Sequence, residues 1–194
     1  MIEATELTKK QKTRERILGS ASRLLRERGI AGASVNDIML GAGLTVGGFY
    51  AHFRSKEKLV GETFKWTLEH AAGGLLKGLT LVSAADRLDE FLGRYLSETH
   101  RDSTQEGCPI AALVADFGDG SSELRRIFAE QCERLIFERR RFFSDDEFRL
   151  TREDWLAIMS TYVGGLLLAR ATRGTSLSKE FLAASRSFVR RSIG

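Results

Sequence analysis

A single proline, Pro109, stands in 194 residues, and this scarcity constrains the fold more than any other feature. Many-turned β folds draw on proline and on runs of Val, Ile and Thr, whereas helices exclude proline from all but their first turn. Proline and such runs are both scarce here, so the chain is expected to be all-α. Its 19 glycines argue the other way, but many stand where a helix would end. Hydrophobic residues make up 42% and charged residues 29%, which suits a soluble protein that buries a real core.

Polar N-cap residues and glycine stops divide the chain into segments. Thr8 and Gln11 have capping-box spacing. Ile17, Ala21, Leu24 and Leu25 then recur on one helical face, and Gly29 is expected to end that helix. Ser34 and Asp37 open a short second helix with Val35, Ile38 and Met39 facing inward, closed where Gly41 and Gly43 bracket Ala42. Thr45 is read as the cap of a brief third helix containing Phe49 and Tyr50, and Ser55 as the cap of a fourth beginning at Lys56. Residues 8 to about 54 thus form a trihelical head, the smallest body that can bury one side of a recognition helix.

Longer helices are expected beyond it. They start at Ser83, at Pro109, after the Gly118–Gly120 break (about Ser122 to Phe143) and at Thr151, giving about nine in all. Residues Arg101 to Gly107 read as a loop. The last two helices, about Thr151–Arg173 and Leu177–Ile193, are expected to pair as an αα-hairpin.

Charge is distributed unevenly. Residues 1–60 hold 11 Lys/Arg against 6 Asp/Glu, and the remainder 19 against 20. A basic head on a near-neutral body suits a polyanion such as double-stranded DNA. Met1 to Lys12 is polar rather than apolar, which argues against a signal peptide. The longest apolar run, Tyr162 to Ala169, is too short to span a bilayer. Cys108 and Cys132 lack metal-ligand spacing, so a cytoplasmic protein without metal or cofactor is expected. His52, His70 and His100 lie in separate segments with no catalytic motif, so no enzyme activity is expected.

The run Ile17-Leu18, Ala21, Leu24-Leu25, Gly29, Ala33-Ser34-Val35, Ile38, Ala42-Gly43-Leu44-Thr45, Gly47, Phe49-Tyr50, His52-Phe53, Ser55-Lys56-Glu57 and Leu59 resembles the TetR/AcrR family of transcriptional regulators. That resemblance implies a helix-turn-helix DNA-binding domain over residues 1–55 and a helical effector-binding and dimerisation domain over 56–194. The chain would be a regulator, read as a repressor released from a palindromic operator by a small-molecule or thiol-reactive effector. One departure is Met39-Leu40-Gly41, where family members commonly carry Ala or Val after the isoleucine. Leucine and glycine there are expected to loosen packing between the second and third helices.

Thr45, Val46, Gly47 and Gly48 fall at the N-terminal end of the recognition helix, where base edges are met. Their side chains are small, so methyl contacts and DNA shape are expected to carry much of the specificity. By resemblance, Tyr50, His52 and Lys56 clamp phosphates. Each also has a plainer reading: Tyr50 as a core aromatic, His52 as a helix C-cap, Lys56 as surface charge.

In the body, Trp155, Met159, Tyr162, Val163 and Leu166, with Phe181 and Phe188, are candidates for a homodimer interface; the competing reading packs the first helix's face inside its own subunit. Phe91, Tyr95, Phe117, Phe128 and Phe137 are possible pocket lining for an effector of unknown identity. Cys108 precedes Pro109 at a helix N-terminus, where the dipole favours the thiolate. The stretch Gly107 to Leu113 resembles that of a subgroup including electrophile-responsive, nem-operon-type repressors, which makes Cys108 a sensor candidate. A small buried apolar cysteine is the commoner case. The alternative to an effector-released regulator is a DNA-binding protein that recruits a protein partner and has no small-molecule effector.

Overall fold

The computed structural model describes residues 8–80 and 83–193; residues 1–7, within the stretch read as lacking a signal peptide, lie outside the described residues. Nine α-helices and one 3₁₀ helix make up the described structure, with no strand among the described residues.

Helix α1 (Lys9–Gly32) opens with the Thr8–Gln11 capping box and buries Ile17, Leu18, Ala21 and Leu25. Gly29, at φ 71°, breaks its regular geometry as expected, but a further helical turn follows to Gly32. Helix α2 (Val35–Gly41) starts on the Ser34 cap, whose hydroxyl accepts from the Asp37 N–H. Gly43, at φ 67°, then makes the turn, a backbone conformation that glycine adopts without strain. The third head element is a 3₁₀ helix, Val46–Ala51, not an α-helix, and Thr45 precedes it without a side-chain cap bond. Ser55 caps α3 (Lys56–Leu76) by accepting from the Lys58 N–H.

Helix α3 serves both parts of the molecule. Its Leu59 and Val60 are buried with the head, while Phe64 packs on Phe117 at 4.5 Å and Phe128 at 5.5 Å between ring centroids. One continuous apolar core therefore runs from Ile17 to Val189. The body follows as α4 (Ala84–Tyr95), α5 (Glu98–Asp102), α6 (Pro109–Asp119), α7 (Ser122–Phe142), α8 (Arg152–Ala171) and α9 (Ser176–Ile193). Within the stretch ending at Gly107, α5 is the element that periodicity does not reveal: five residues are too few for an apolar stripe.

Helices α8 and α9 form the expected hairpin. Gly165 faces Ser185 with no room for a side chain, and Ser178 donates to the Ala169 carbonyl at 2.6 Å. This packing corrects the reading of the α8 face. Trp155, Tyr162, Val163 and Leu166 are buried inside their own subunit, since α4, α6, α7 and α9 already cover that face; their side chains are not available to a second copy. Met159 and Phe181 are half-buried, and Phe188 is 53% exposed.

The unusual Leu40-Gly41 pair does not loosen the head. Leu40 points outward, 71% exposed. Gly41 sits against Ser20, whose hydroxyl donates to the Ile38 carbonyl at 2.8 Å. A Cβ at residue 41 would lie 2.5 Å from that hydroxyl oxygen but 3.7 Å from the Ser20 Cβ. Gly41→Ala is therefore expected to destabilise the protein by about 1–3 kcal/mol through overpacking. In a Ser20→Ala background the same change should be neutral or stabilising, since helix propensity then favours alanine. Urea unfolding of the four proteins of this double-mutant cycle provides the check.

Candidate nucleic-acid interface and effector cavity

The helix-turn-helix is locked from below by α1. Arg16 donates to the Ala42 carbonyl at 2.6 Å, fixing the turn before the 3₁₀ helix. Arg14 pairs with Glu62 and lies 4.7 Å from the Phe53 ring centroid. Phe49 and Phe53 are buried, so they anchor the 3₁₀ helix and leave its other side free. On that side Thr45, Val46, Gly47 and Tyr50 are exposed, Tyr50 at 75%. Gly47 has open space where a side chain would go, while Gly48 is half-buried over Met39. The result is a flat, small-residue surface flanked by one projecting phenol.

His52 and Lys56 sit at the edge of this surface and are both half-buried. His52 is the C-cap of the 3₁₀ helix, its backbone N–H donating to the Phe49 carbonyl at 2.9 Å, and its Nδ1 is buried without a partner. The Lys56 ammonium donates to the Ile30 carbonyl at 2.6 Å. Its favourable site is thus the carbonyl end of α1 as well as the N-terminus of its own helix. This explains a lysine placed against the dipole preference of α3.

A cavity of about 650 Å³ lies in the body. Leu68 and Leu75 of α3, Phe91 and Tyr95 of α4, Leu135 and Arg139 of α7, Tyr162 of α8 and the loop from Ser103 to Cys108 bound it. Of the aromatics considered as lining, Phe91 and Tyr95 do line it. Phe117 and Phe128 instead stack on Phe64 in the core. Phe137 is exposed.

Cys108 is the N-cap of α6 and is half-buried on the cavity wall. Its backbone N–H donates to His100 Nε2 at 3.1 Å, and the His100 Nδ1 is 2.7 Å from the Tyr95 carbonyl. These two bonds require the neutral Nδ1–H tautomer. Burial holds the His100 pKa below its ordinary value of 6.5, opposed by the bond to Tyr95 and assisted by the charge of Arg170. Gly107 has no space for a side chain, hemmed by Arg170, the Ser103 carbonyl and His100. The loop is further clamped by Arg170, which donates to the Arg101 and His100 carbonyls at 3.1 and 3.3 Å.

Two contacts join this wall to the head. Arg26 of α1 donates to the Gly107 carbonyl at 2.7 Å. Asp116, two turns into α6, accepts from the Ile30 N–H at 3.3 Å, beside the Gly29 break. Lys58 of α3 also pairs with Glu123 of α7.

Residues 17–63 match the family described as bacterial regulatory proteins, tetR family. Residues 17–63 thus carry a DNA-binding segment of the tetR type. Relatives include an HTH-type transcriptional regulator of Mycobacterium tuberculosis, 28% identical over 84% of this chain and 87% of its own. The HTH-type transcriptional repressor KstR2 of Rhodococcus jostii is 26% identical over 82% of this chain and 70% of its own. Among solved structures, a TetR transcriptional regulator of Chloroflexus aurantiacus superposes with a TM-score of 0.73 at 26% identity, covering 96% of each chain. NemR of E. coli in its reduced form gives 0.74 at 22% identity over 93% and 96%, a likeness of fold. With this segment and these relatives, the chain is a DNA-binding transcriptional regulator. Among the described residues no helix is long and apolar enough to cross a membrane, and no group of three acidic, His or Cys residues is placed to hold a metal.

In the body, sequence reasoning passes over Arg139, Tyr162 as cavity lining, and the Arg26 and Asp116 links. Arg139 opens the run Arg139-Arg140-Arg141, which reads as solvated charge. Its helical phase was the available signal, four residues from buried Leu135 and three from buried Ile136.

A base whose pKa falls on folding binds fewer protons folded than unfolded, so its contribution is complete above about pH 6.5 and lost as pH falls. The thermal midpoint should therefore drop between roughly pH 7 and pH 5. His100→Gln should flatten that slope, whereas an unchanged slope would show that the neutral His100 bridge is not the titrating element.

Proposed function

We propose that the chain is a homodimeric repressor, released from a palindromic operator by an effector that enters the body cavity. The head, residues 1–55, reads DNA; the body, residues 56–194, holds the effector and the dimer face; the protein works in the cytoplasm, where the DNA is. The observation that carries this reading is the pair of links from the cavity wall to α1. Arg26 holds the Gly107 carbonyl next to Cys108, and Asp116 holds the Ile30 N–H. An effector that displaces the start of α6 pulls on the helix that seats the head, which gives two states of different DNA affinity.

On DNA, Thr45 and Val46 supply methyl contacts, and Gly47 and Gly48 let the backbone approach. Tyr50, the most exposed of these side chains, donates to a phosphate. His52 joins it at the edge. Lys56 keeps two further ammonium protons for a phosphate while holding Ile30, so it both positions the head and adds charge.

Two heads must meet half-sites about 34–36 Å apart, which calls for a second copy. The face left for it runs along α8 and α9: Leu156, Leu168, Leu177 and Phe188 are exposed, with half-buried Phe181 beside them and open space at Gly164. Outside this face and the head, the only large exposed hydrophobic among the described residues is Phe137. A single aromatic gives little surface for a recruited protein, so the effector reading is favoured over partner recruitment.

Fluorescence anisotropy on DNA from upstream of the gene tests both parts. The expected result is competitor-resistant binding that weakens steeply with salt. Tyr50→Ala should lose about tenfold or more while remaining dimeric by sedimentation, since a charge-assisted phosphate bond is lost. Leu168→Glu/Phe188→Glu should sediment as a monomer and lose binding. Binding no better than to scrambled DNA would refute the reading at that site.

Cys108 lines the cavity beside Tyr95, which favours a second mode of release by thiol-reactive effectors. Cys108→Ser should then bind operator normally but resist release by N-ethylmaleimide. Release of the variant at the wild-type concentration would assign the response elsewhere. Cys132, whose thiol pKa burial pushes up to about 11, is too poor a thiolate source to substitute for it.

A further inference from the structure

The cavity holds a buried cation without an anion. Arg139 is only 9% exposed, yet among the described residues its guanidinium makes no hydrogen bond or ion pair. The Phe91 ring centroid lies 5.8 Å from it, and Tyr162, Glu138 and Cys108 lie within electrostatic range without bonding to it. Burial lowers its pKa from the ordinary arginine value, but a guanidinium still cannot shed its proton in a protein. An unpaired buried charge is among the costlier arrangements a fold can retain.

The groups around it are unsatisfied too. The Tyr95 hydroxyl is buried and makes no well-formed hydrogen bond, its polar neighbour being the Cys108 thiol. Tyr162 stands 4.5 Å from Tyr95 between ring centroids and within electrostatic range of Arg139, and it makes no hydrogen bond through its hydroxyl among the described contacts. Phe91 touches all three, at 5.7 Å from Tyr95 and 5.6 Å from Tyr162. The remaining charges that line the cavity are accounted for. Arg94 is held by Glu90 and by the Leu75 and Lys77 carbonyls, and Glu106 is exposed at the mouth.

We infer that the effector is an organic monoanion whose carboxylate sits on Arg139 and the Tyr95 and Tyr162 hydroxyls, with an apolar body against Leu68, Leu75 and Leu135. One guanidinium fork and two phenolic donors match the lone pairs of one carboxylate. Leu68, Leu75, Ile110 and Leu135 give an apolar body its wall, and Glu106 disfavours a second negative charge. About 650 Å³ accommodates a medium-sized ligand. This inference rests on the effector reading of the cavity and specifies its chemistry.

The test compares octanoate, decanoate and 4-phenylbutyrate with their methyl esters, by calorimetry and thermal shift on the full-length protein. Acids should bind about tenfold or more tightly than esters, because a charge-assisted pair is made only by the acid. Arg139→Met should abolish that preference and, by removing an unpaired buried charge, raise the thermal midpoint of the ligand-free protein. Tyr95→Phe should weaken acids selectively. No acid binding, equal binding of esters, or a lowered midpoint in Arg139→Met would overturn the inference. Operator release is read separately: acids that bind through Arg139 without releasing DNA would leave the inference standing and overturn the effector-released repressor.

Discussion

Helix α1 buries Ile17, Ala21 and Leu25 almost completely, and each part of the head is set against that stripe or against a polar group projecting beside it. Ser20 and Arg16 reach the carbonyls of Ile38 and Ala42, so the backbone of α2 and of the turn is held by α1 rather than by α2's own short length. Seven residues form too few internal hydrogen bonds to persist alone. The 3₁₀ helix is shorter still and depends on Phe49 and Phe53 being driven into the same core. Its exposed side can then carry glycines and small residues without losing shape, because shape comes from beneath.

The same helix is also the route by which the body is felt. Near its C-terminal end Arg26 grips the Gly107 carbonyl and Ile30 donates to Asp116. Lys56 holds Ile30 from the other side. Three elements thus converge on the turn around Gly29, where regular helix geometry is already interrupted. Glycine at positive φ accounts for that break, and the contacts from α6 and α3 arrive beside it.

Within the body, the cavity wall is mixed, with Ser97, Thr99 and His100 beside Leu68, Leu75 and Leu135. His100, Gly107 and Arg170 satisfy the Cys108 loop fully, whereas Arg139 and the Tyr95 hydroxyl a short distance away are left without partners. The contrast separates two tasks. The polar groups of the loop are bonded to one another, whereas Arg139 and the Tyr95 hydroxyl are not.

Much of this was readable from residue order. Caps at Thr8, Ser34, Ser55, Ser83 and Thr151, and the proline start of α6, follow from which side chains can serve orphan N–H groups at helix ends. Such contacts span three residues and need no tertiary information. The exposed set from Thr45 to Tyr50 was readable for the same reason, given the apolar positions between which it lies. What only tertiary structure decided is which partner each apolar face meets. The face of Trp155, Tyr162, Val163 and Leu166 reads identically whether it is covered by α4, α6 and α7 or by a second subunit, since periodicity reports burial and not what does the burying. Leu40 and Gly41 look like a packing fault until Ser20, far away in sequence, is brought to 2.5 Å from where a Cβ would be. Arg139 is indistinguishable from its two neighbouring arginines until the helices close around it, because desolvation is set by surrounding atoms rather than by the residue itself.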